Sequence, residues 1–468
     1  MLTFQDFEEA VSKGELLFFL SKAIAQHMTG HIYKTAVNAD LYDRQRNVTV
    51  NNYTKFIAEH AGNEFVNATA ANSRIASNFF HRLNVQRAVY SLGNGIDFND
   101  EKIKDKLGAD FDTDFYRLAY KALIHGECFG FWNNDRLYVF PVTEFVPFYD
   151  ENSGVLRAGI RFWRIAPDKP MTAVLYEENG YTKYMTDKGS GGMVFHEAEP
   201  KRAYIVRGVR TEFDGFVVTG QDNYSTLPIK RMQGSSLNQS TLIGLQQQID
   251  SYDLIQSGFA NDLQDCAQIY WIIENCGGMK DDELRRFLNK LTRDHVAVAD
   301  TQGMGVESSS LKPYVQDVPF QSRMAWLQFI KDAIYDGFGG LNVTTINSAA
   351  KTATEIEAAY EPMDENADDF EYYCIDFIRQ ILDLIGIADK DAVPLFKRSK
   401  INNLKEQVET VMLEANYLDD ETVLMKLPNI TPDEIESIMA RKTAEGRERR
   451  EQMPFDEVEN ETGDDLNG

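Results

Sequence analysis

A chain of 468 residues with 43% hydrophobic and 12% aromatic content holds enough apolar material for roughly two to four packed domains, which excludes a wholly disordered protein. Its formal charge of −25 excludes a general attraction to polyanions, so any relation to nucleic acid has to rest on something other than a basic surface. Four scattered cysteines, Cys128, Cys266, Cys276 and Cys374, lack C-x-x-C spacing and suggest neither a disulfide framework nor a zinc site. No apolar run reaches membrane-spanning length, and MLTFQDFEEAVSKGELLFFL places acids ahead of its apolar stretch. That order is wrong for a secretory signal, so the chain is expected inside the cell when made.

From about residue 50 to 135 the pattern is first helical. NNYTKFIAEHAG leads into NSRIASNFFHRLNVQRAVYSLGNGIDF, where Ile75, Phe79, Leu83 and Val85 to Tyr90 recur at helical spacing and Gly93, Asn94 and Gly95 supply a stop. Residues 113 to 127 predict another amphipathic helix. CFGFWNNDRLYVFPVTEFVPFYD then alternates aromatics with turn residues, as a hairpin and a further strand do. Strand-like runs continue in VLRAGIRFWRI, AVLYEENGYTKYM, KRAYIVRGV and GFVVTG, separated by ENSG, ENG and KGSGG at the spacing of an antiparallel sheet.

Residues 240 to 265, STLIGLQQQIDSYDLIQSGFANDLQD, contain four aspartates and no lysine or arginine. On a 3.6-residue period Leu242, Leu245, Ile249, Tyr252, Ile255, Phe259 and Leu263 form one stripe. Gln246, Asp250, Asp253, Ser257, Asn261 and Gln264 form the opposite one. A strand, helix and strand in QIYWII, DDELRRFLNKLTRD and HVAVAD predict a small α/β module, and PFQSRMAWLQFIKDAIYDG a second helix with Pro319 at its first turn. After Gly337, Gly339 and Gly340 comes a polar loop, LNVTTINSAAKT. A very long helix follows through Ile356, Tyr360, Met363, Ala367, Phe370, Cys374, Phe377, Ile381 and Ile385. Pro362 inside it predicts a kink or break near Tyr360. Smaller helices are expected from 402 to 442, one of them capped by Thr431, Pro432 and Glu434, and disorder from about Pro454 onward.

Signs of enzymatic chemistry are sparse. There is no phosphate-binding G-x-x-x-x-G-K-[ST] loop, and KGSGGM reads as a hairpin turn. His27 and His31 have the spacing of metal ligands, yet Gly30 lies between them without a third ligand in reach, which favours a helix end. The pairs Asp250/Asp253 and Asp262/Asp265 suit either the carboxylates of a metal-dependent nuclease or a solvated helix face, and the second is the commoner use of such a stripe. No cofactor is expected.

The order of parts resembles the portal protein family of tailed bacteriophages, in particular the long-tailed siphophage type. The likeness rests on NYTKFIAEHAG, the following NSRIASNFFHRLNVQRAVYSLGNGIDF, ALIHGECFGF, YDENSGVLRAGIRFW, LPIKRMQGSSLNQSTLIGLQQQIDSYDLIQSGFAND and GGLNVTTINSAAKTATEIEAAYEPM. It implies an α+β chain with residues 1–237 as a wing, helical and then β-rich. Residues 238–265 and 318–339 would be two stem helices, 266–317 a clip, and 340–351 a tunnel loop. A long kinked helix over 352–389, a helical crown over 390–450 and an acidic tail over 451–468 complete the layout. It further implies a homo-oligomeric ring of about twelve copies at one capsid vertex, through which double-stranded DNA is packaged and ejected. The implied partners are the terminase large subunit, the head-tail adaptor, and the scaffolding and major capsid proteins.

Physical reasoning adds a wall. Proteins that grip DNA neutralise phosphates with Lys and Arg and release counterions, whereas a conduit needs a surface that repels the duplex. Gln246, Asp250, Asp253, Ser257 and Asn261 are therefore candidate channel-lining residues, with contact to a neighbouring subunit as the open alternative for each polar face. Lysine at Asp250 and Asp253 is then expected to leave the ring intact and hinder DNA movement. Residues 352 to 378, with nine acids and no Lys or Arg, fall under the same reasoning. Lys331 and Lys351 suit either a phosphate or a neighbour's carboxylate. The tunnel-loop candidates are Leu341, Asn342, Val343, Thr344, Thr345, Ile346, Asn347 and Lys351. Lys280, Arg285, Arg286, Lys290 and Arg293 give the clip a basic helix for partner contacts, with a solvated face as the alternative. The competing functions are the nuclease and a non-conduit assembly or scaffold factor, which particle mass separates.

Overall fold

The computed structural model describes residues 2–52, 72–134, 136–187, 193–211, 215–266, 320–343, 353–387 and 392–398. It also describes the shorter stretches 56–58, 64–66, 270–273, 311–314, 411–415, 417–427 and 437–442, with single positions at 282, 286, 408 and 435. The chain is a mixed helix and sheet protein in two compact units, one of Met1–Thr345 with Tyr360–Ser399 and one of Ile346–Ala359 with Lys400–Gly468.

The first unit begins with helices α1 (Phe4–Ser12), α2 (Leu16–Thr29) and α3 (His31–Asp43). A reciprocal cap starts α1: the Thr3 hydroxyl accepts from the Asp6 backbone N–H at 3.3 Å, and the Asp6 carboxylate accepts from the Thr3 N–H at 3.0 Å. Phe7, Phe19, Leu20, Ala23 and Ile24 then face a five-stranded antiparallel sheet. Its strands are β6 (Phe145–Tyr149), β7 (Leu156–Trp163), β8 (Thr172–Glu177), β9 (Gly180–Thr186) and β10 (Phe195–Arg202), hydrogen-bonded in the order β10-β9-β8-β7-β6. Phe7 stacks on Phe148 with ring centroids 5.9 Å apart, so helices and sheet share one apolar layer. Earlier strands come as a pair, β1 (Phe56–Ala58) with β2 (Glu64–Val66), and as β3 (Ile96–Phe98).

A second layer joins α5 (Phe79–Leu92), α6 (Glu101–Leu107) and α7 (Phe111–His125) to β4 (Glu127–Asn133), β5 (Arg136–Pro141) and β13 (Ile229–Gln233), which pair in the order β13-β4-β5. Strands β11 (Ile205–Thr211) and β12 (Gly215–Asp222) form a separate ribbon. Later helices are α8 (Gln246–Cys266), α9 (Phe320–Phe338) and α10 (Ala353–Leu384), preceded in the chain by the short α4 (Val48–Asn51). From α10, Phe370, Cys374, Phe377, Ile378 and Ile381 are buried among Leu118, Phe115 and Trp132. Phe377 lies 5.8 Å from Phe115, and each such fully buried side chain is worth about 1.5–3 kcal/mol. Two further pairs are β14 (Tyr270–Ile273) with β15 (Leu311–Tyr314), and β16 (Pro394–Phe396) with β3. In the second unit, α11 (Asp420–Lys426) starts on Asp419, whose carboxylate accepts from the Thr422 N–H at 3.2 Å, and Lys426 pairs with Glu414 at 2.7 Å.

Two expectations change. Residues 56–58 and 64–66 are not helical, because β1 and β2 pair antiparallel there, and residues 72–78 form no helix. Helical spacing in Ile75 and Phe79 is coincidental; the helix begins only at Phe79. Of the kink or break expected at Pro362, the break does not occur, since the long helix runs from Ala353 to Leu384. Pro362 sits on the exposed side, where water can meet the carbonyl that loses its donor, and the Asn366 amide donates to the Pro362 carbonyl at 2.9 Å. Apart from Asp282 and Arg286, the helix of the α/β module lies outside the described residues, as do its HVAVAD run, the KGSGG turn, the cap at Thr431 and the acidic tail.

Gly126 ends α7 and turns the chain into β4 with φ +94. A Cβ there would lie 2.6 Å from the Gln239 backbone, whereas one at Gly14, with φ +71, would meet nothing within 4 Å. Gly14→Ala should therefore cost only the backbone strain, about 1–2 kcal/mol, and Gly126→Ala distinctly more. Thermal unfolding of the two variants side by side checks the order.

Candidate functional site

Helix α8 is positioned from its N-terminal side. The Ser240 hydroxyl donates to the Ile124 carbonyl at 2.5 Å and accepts from the Leu242 N–H at 3.1 Å, locking the approach to the end of α7. Leu242, Leu245 and Ile249 are then buried together with Ile330, Ile334, Tyr335 and Phe338 of α9, and Phe79 meets both Tyr252 and Tyr335 edge-on at 5.0 and 6.1 Å. This apolar stripe is the one the sequence period predicts.

The polar stripe is the surprise, because it faces inward. The extended segment 72–78 lies along it, and alternate backbone N–H groups donate to side chains one helical turn apart. Ser73 N–H donates to Asn261 Oδ1 at 2.6 Å, Ile75 N–H to Ser257 Oγ at 3.0 Å, and Ser77 N–H to Asp253 Oδ1 at 2.9 Å. Four helical residues rise about 6 Å and two extended residues span about 6.6 Å, so the two periods match closely enough for three consecutive bonds. The Asn47 amide donates to the other Asp253 oxygen and, at 3.2 Å, to the Ser77 carbonyl. One turn earlier, the Tyr42 hydroxyl donates to Asp250 at 2.5 Å and the Asn38 amide to Gln246 at 3.1 Å. Asp253 is 0% exposed, Ser257 7% and Asn261 3%.

This corrects the channel-lining assignment of Asp253, Ser257 and Asn261, which are buried and whose polarity answers the unpaired backbone of residues 73–77 and Asn47. Gln246 and Asp250 are half-buried and bond to Asn38 and Tyr42 of α3. Burial raises the Asp253 carboxyl above the usual carboxylate range, against the donors of Asn47 and Ser77, and Asp250 adds to the rise. Lysine at position 253 would bury an ammonium among donors, so it would disturb the fold instead of sparing it. Lys331, the remaining candidate, is half-buried on α9.

The root of the predicted tunnel loop is also tied down. Gln86 of α5 holds both sides of the Leu341 peptide: its amide nitrogen donates to the Leu341 carbonyl and its oxygen accepts from the Leu341 N–H, each at 3.0 Å. Leu341 is buried, so it anchors the segment and does not project. Asn342 and Val343 are half-buried, while Thr344, Thr345, Ile346, Asn347 and Lys351 lie outside the described residues. So do Lys280, Arg285, Lys290 and Arg293; Arg286 is an exposed helical residue.

Other residues carry weight without any sequence signal. Arg398 gathers three carboxylates of α10, Asp364 at 3.1 Å, Glu371 at 2.8 Å and Asp368, with Glu371 first among those that hold its guanidinium firmly charged. Asp40 on α3 is half-buried, which would raise its carboxyl, but His125 at 3.1 Å and Lys121 at 2.6 Å bring it down to about 2. The proposed nuclease acids are spoken for: Asp250 by Tyr42, Asp253 by Asn47 and Ser77, Asp262 by Arg323. The Asp265 side chain lies outside the described residues. His27 has its Nε2 2.7 Å from the Val142 carbonyl at the end of α2. Among the described residues no group of three or more His, Cys, Asp or Glu is placed to hold a metal ion. No helix among them is long and apolar enough to cross a membrane. The outer side of α10, by contrast, exposes Glu361, Glu365 and Asp368.

Comparison with known proteins gives a consistent answer. Residues 24–448 match the family described as phage portal protein, SPP1 Gp6-like. The chain is 24% identical over 392 residues to the portal protein of Clostridium phage phiCD119, covering 78% of this chain and 80% of that one. It is also similar, at 11% identity and a TM-score of 0.38, to a chain from the neck of a native GTA particle computed with C12 symmetry, covering 75% of this chain and 89% of that one. At that TM-score the likeness carries no structural detail.

Replacing Asp253 by alanine removes the acceptor for Ser77 and Asn47 and should cost about 2–3 kcal/mol, whereas Asp253→Asn keeps one acceptor and should stay within about 1 kcal/mol of wild type. The sign of the pH effect follows from the raised carboxyl. Its contribution to stability is fully present below the unfolded value of 3.8 and is lost as pH rises through the higher folded value, so the wild type should gain on Asp253→Asn as pH falls. Melting temperatures of both variants and wild type across pH 4 to 8 check all three statements.

Proposed function

Because this chain belongs to the SPP1 Gp6-like family of phage portal proteins, we propose that it is the ring-forming subunit at a unique capsid vertex through which double-stranded DNA enters and leaves the head. Portal proteins form oligomeric rings in phage particles and are structural components, not enzymes; a ring of about twelve copies is the size proposed for this one. The observation that carries the reading is the match across residues 24–448, which takes in the α8/α9 pair, the strands β14 and β15 between them and the long helix α10. In this reading residues 1–237 form the wing, α8 and α9 the stem, 266–317 the clip and 390–450 the crown. The ring is assembled in the host cell with scaffolding and major capsid proteins, and docks first the terminase large subunit and then the head-tail adaptor.

The repulsive wall rests on the second acidic stretch read from the sequence, residues 352 to 378. Glu361 and Glu365 are exposed on a helix stretch without lysine or arginine, and the chain carries −25 overall. Repeated around a symmetry axis, such carboxylates keep phosphates at a distance and leave the duplex lubricated by water and counterions. DNA then moves without first having to break a set of basic contacts.

Electron microscopy with native mass measurement of the purified chain is expected to give closed annuli of about a dozen copies; monomers or dimers at every concentration would remove the portal reading. The double variant Glu361→Lys, Glu365→Lys should still form rings but bind DNA at least about tenfold more tightly at low salt and package less of it. Unchanged binding and packaging would show that this stripe is not the wall.

A further inference from the structure

Helix α9 carries two apolar faces. One, with Leu327, Ile330, Ile334 and Phe338, is buried. On the other side Ser322, Trp326, Phe329 and Ala333 follow one another at i, i+4, i+7 and i+11, the spacing of a coiled-coil seam. Trp326 is 46% and Phe329 63% exposed, with their rings stacked at 5.7 Å. A stacked, exposed aromatic pair beside a buried apolar stripe on the same helix is the pattern of an interface anchor.

The outer side of α8 has the matching spacing and the opposite sizes. Gln247, Ser251, Leu254 and Gly258 also stand at i, i+4, i+7 and i+11, with Leu254 37% exposed. A Cβ built on Gly258 would meet nothing within 4 Å, so small Ser251 and Gly258 flank Leu254 with open space. Both stripes are about 16 Å long. Neither contains a charged residue, in a chain whose net charge of −25 otherwise opposes the approach of a second copy.

We propose that Trp326 and Phe329 of α9 seat against Ser251, Leu254 and Gly258 of α8 in the adjacent copy of this chain, as the repeating contact that closes the ring. This inference rests on the ring reading above and names the surface by which it forms. A closed cyclic assembly needs two different patches per subunit, each complementary to the other, and large-on-small stripes of equal length on two helices supply that pair. Charge neutrality selects the place: these are uncharged seams where copies approach without like charges facing each other.

The test pairs Ser251→Cys with Phe329→Cys in a background with Cys266 and Cys276 replaced by serine, Cys128 and Cys374 being buried. Mild oxidation of the assembled double variant should give a ladder of covalent multimers on a non-reducing gel, while either single cysteine gives none. Phe329→Glu should lower the ratio of ring to monomer at least about tenfold with an unchanged melting temperature. Rings that assemble without a ladder, a crosslink confined to single chains, or a Phe329→Glu ring as stable as wild type would each overturn this contact while leaving the portal reading intact. If the unmodified chain never forms rings, it is the portal reading that fails.

Discussion

An extended backbone segment lying on a helix has no ladder partner, and every amide it buries must find an acceptor or cost about 1–3 kcal/mol. Much of the first unit is arranged around that requirement. Asn261, Ser257 and Asp253 supply acceptors at the spacing residues 73, 75 and 77 demand, and Asn47 closes the far side of Asp253. With one face of α8 used by this segment and another by α9, only the outer face remains available to a second molecule. What can happen on the surface is thus fixed by which face the backbone needs.

Electrostatics then divides the acids into two populations. Asp253, Asp250 and Asp40 sit against donors, and burial together with neighbouring groups shifts the proton affinity of Asp253 and Asp40; they are structural. Glu361 and Glu365 stand in water on α10 and shape the field outside the chain. Composition alone cannot tell the two apart, although they have opposite consequences for a passing polyanion.

The sequence made a good deal of this legible. The helix at 113–127 appears as Phe111–His125, the strand runs from 127 onward appear as β4 to β12, and both stripes of α8 fall where a 3.6-residue period puts them. The direction in which the polar stripe faces was not legible. Its partners are backbone amides up to 188 residues away, and a peptide N–H leaves no mark in a side-chain pattern. Ile75 shows the same limit from the other side, since its helical spacing lost to hydrogen bonds offered by another element. Pro362 was read from the donor it lacks; on an exposed turn, with Asn366 beside it, that loss does not interrupt the helix. Gln86 and Arg398 carried no signal at all, being ordinary polar residues whose partners lie 255 and about 30 positions away.

The three bonds to residues 73, 75 and 77 also act as a register lock. Sliding the segment by a single residue would present side chains where amides are needed and lose all three at once. Whatever is inserted or deleted between Asn52 and Asn72 therefore cannot propagate past Ser73, and length changes in that stretch are insulated from the helix that holds the segment after it. Such a boundary lets one part of the chain vary with its surroundings while the part that must be identical in every copy stays in place.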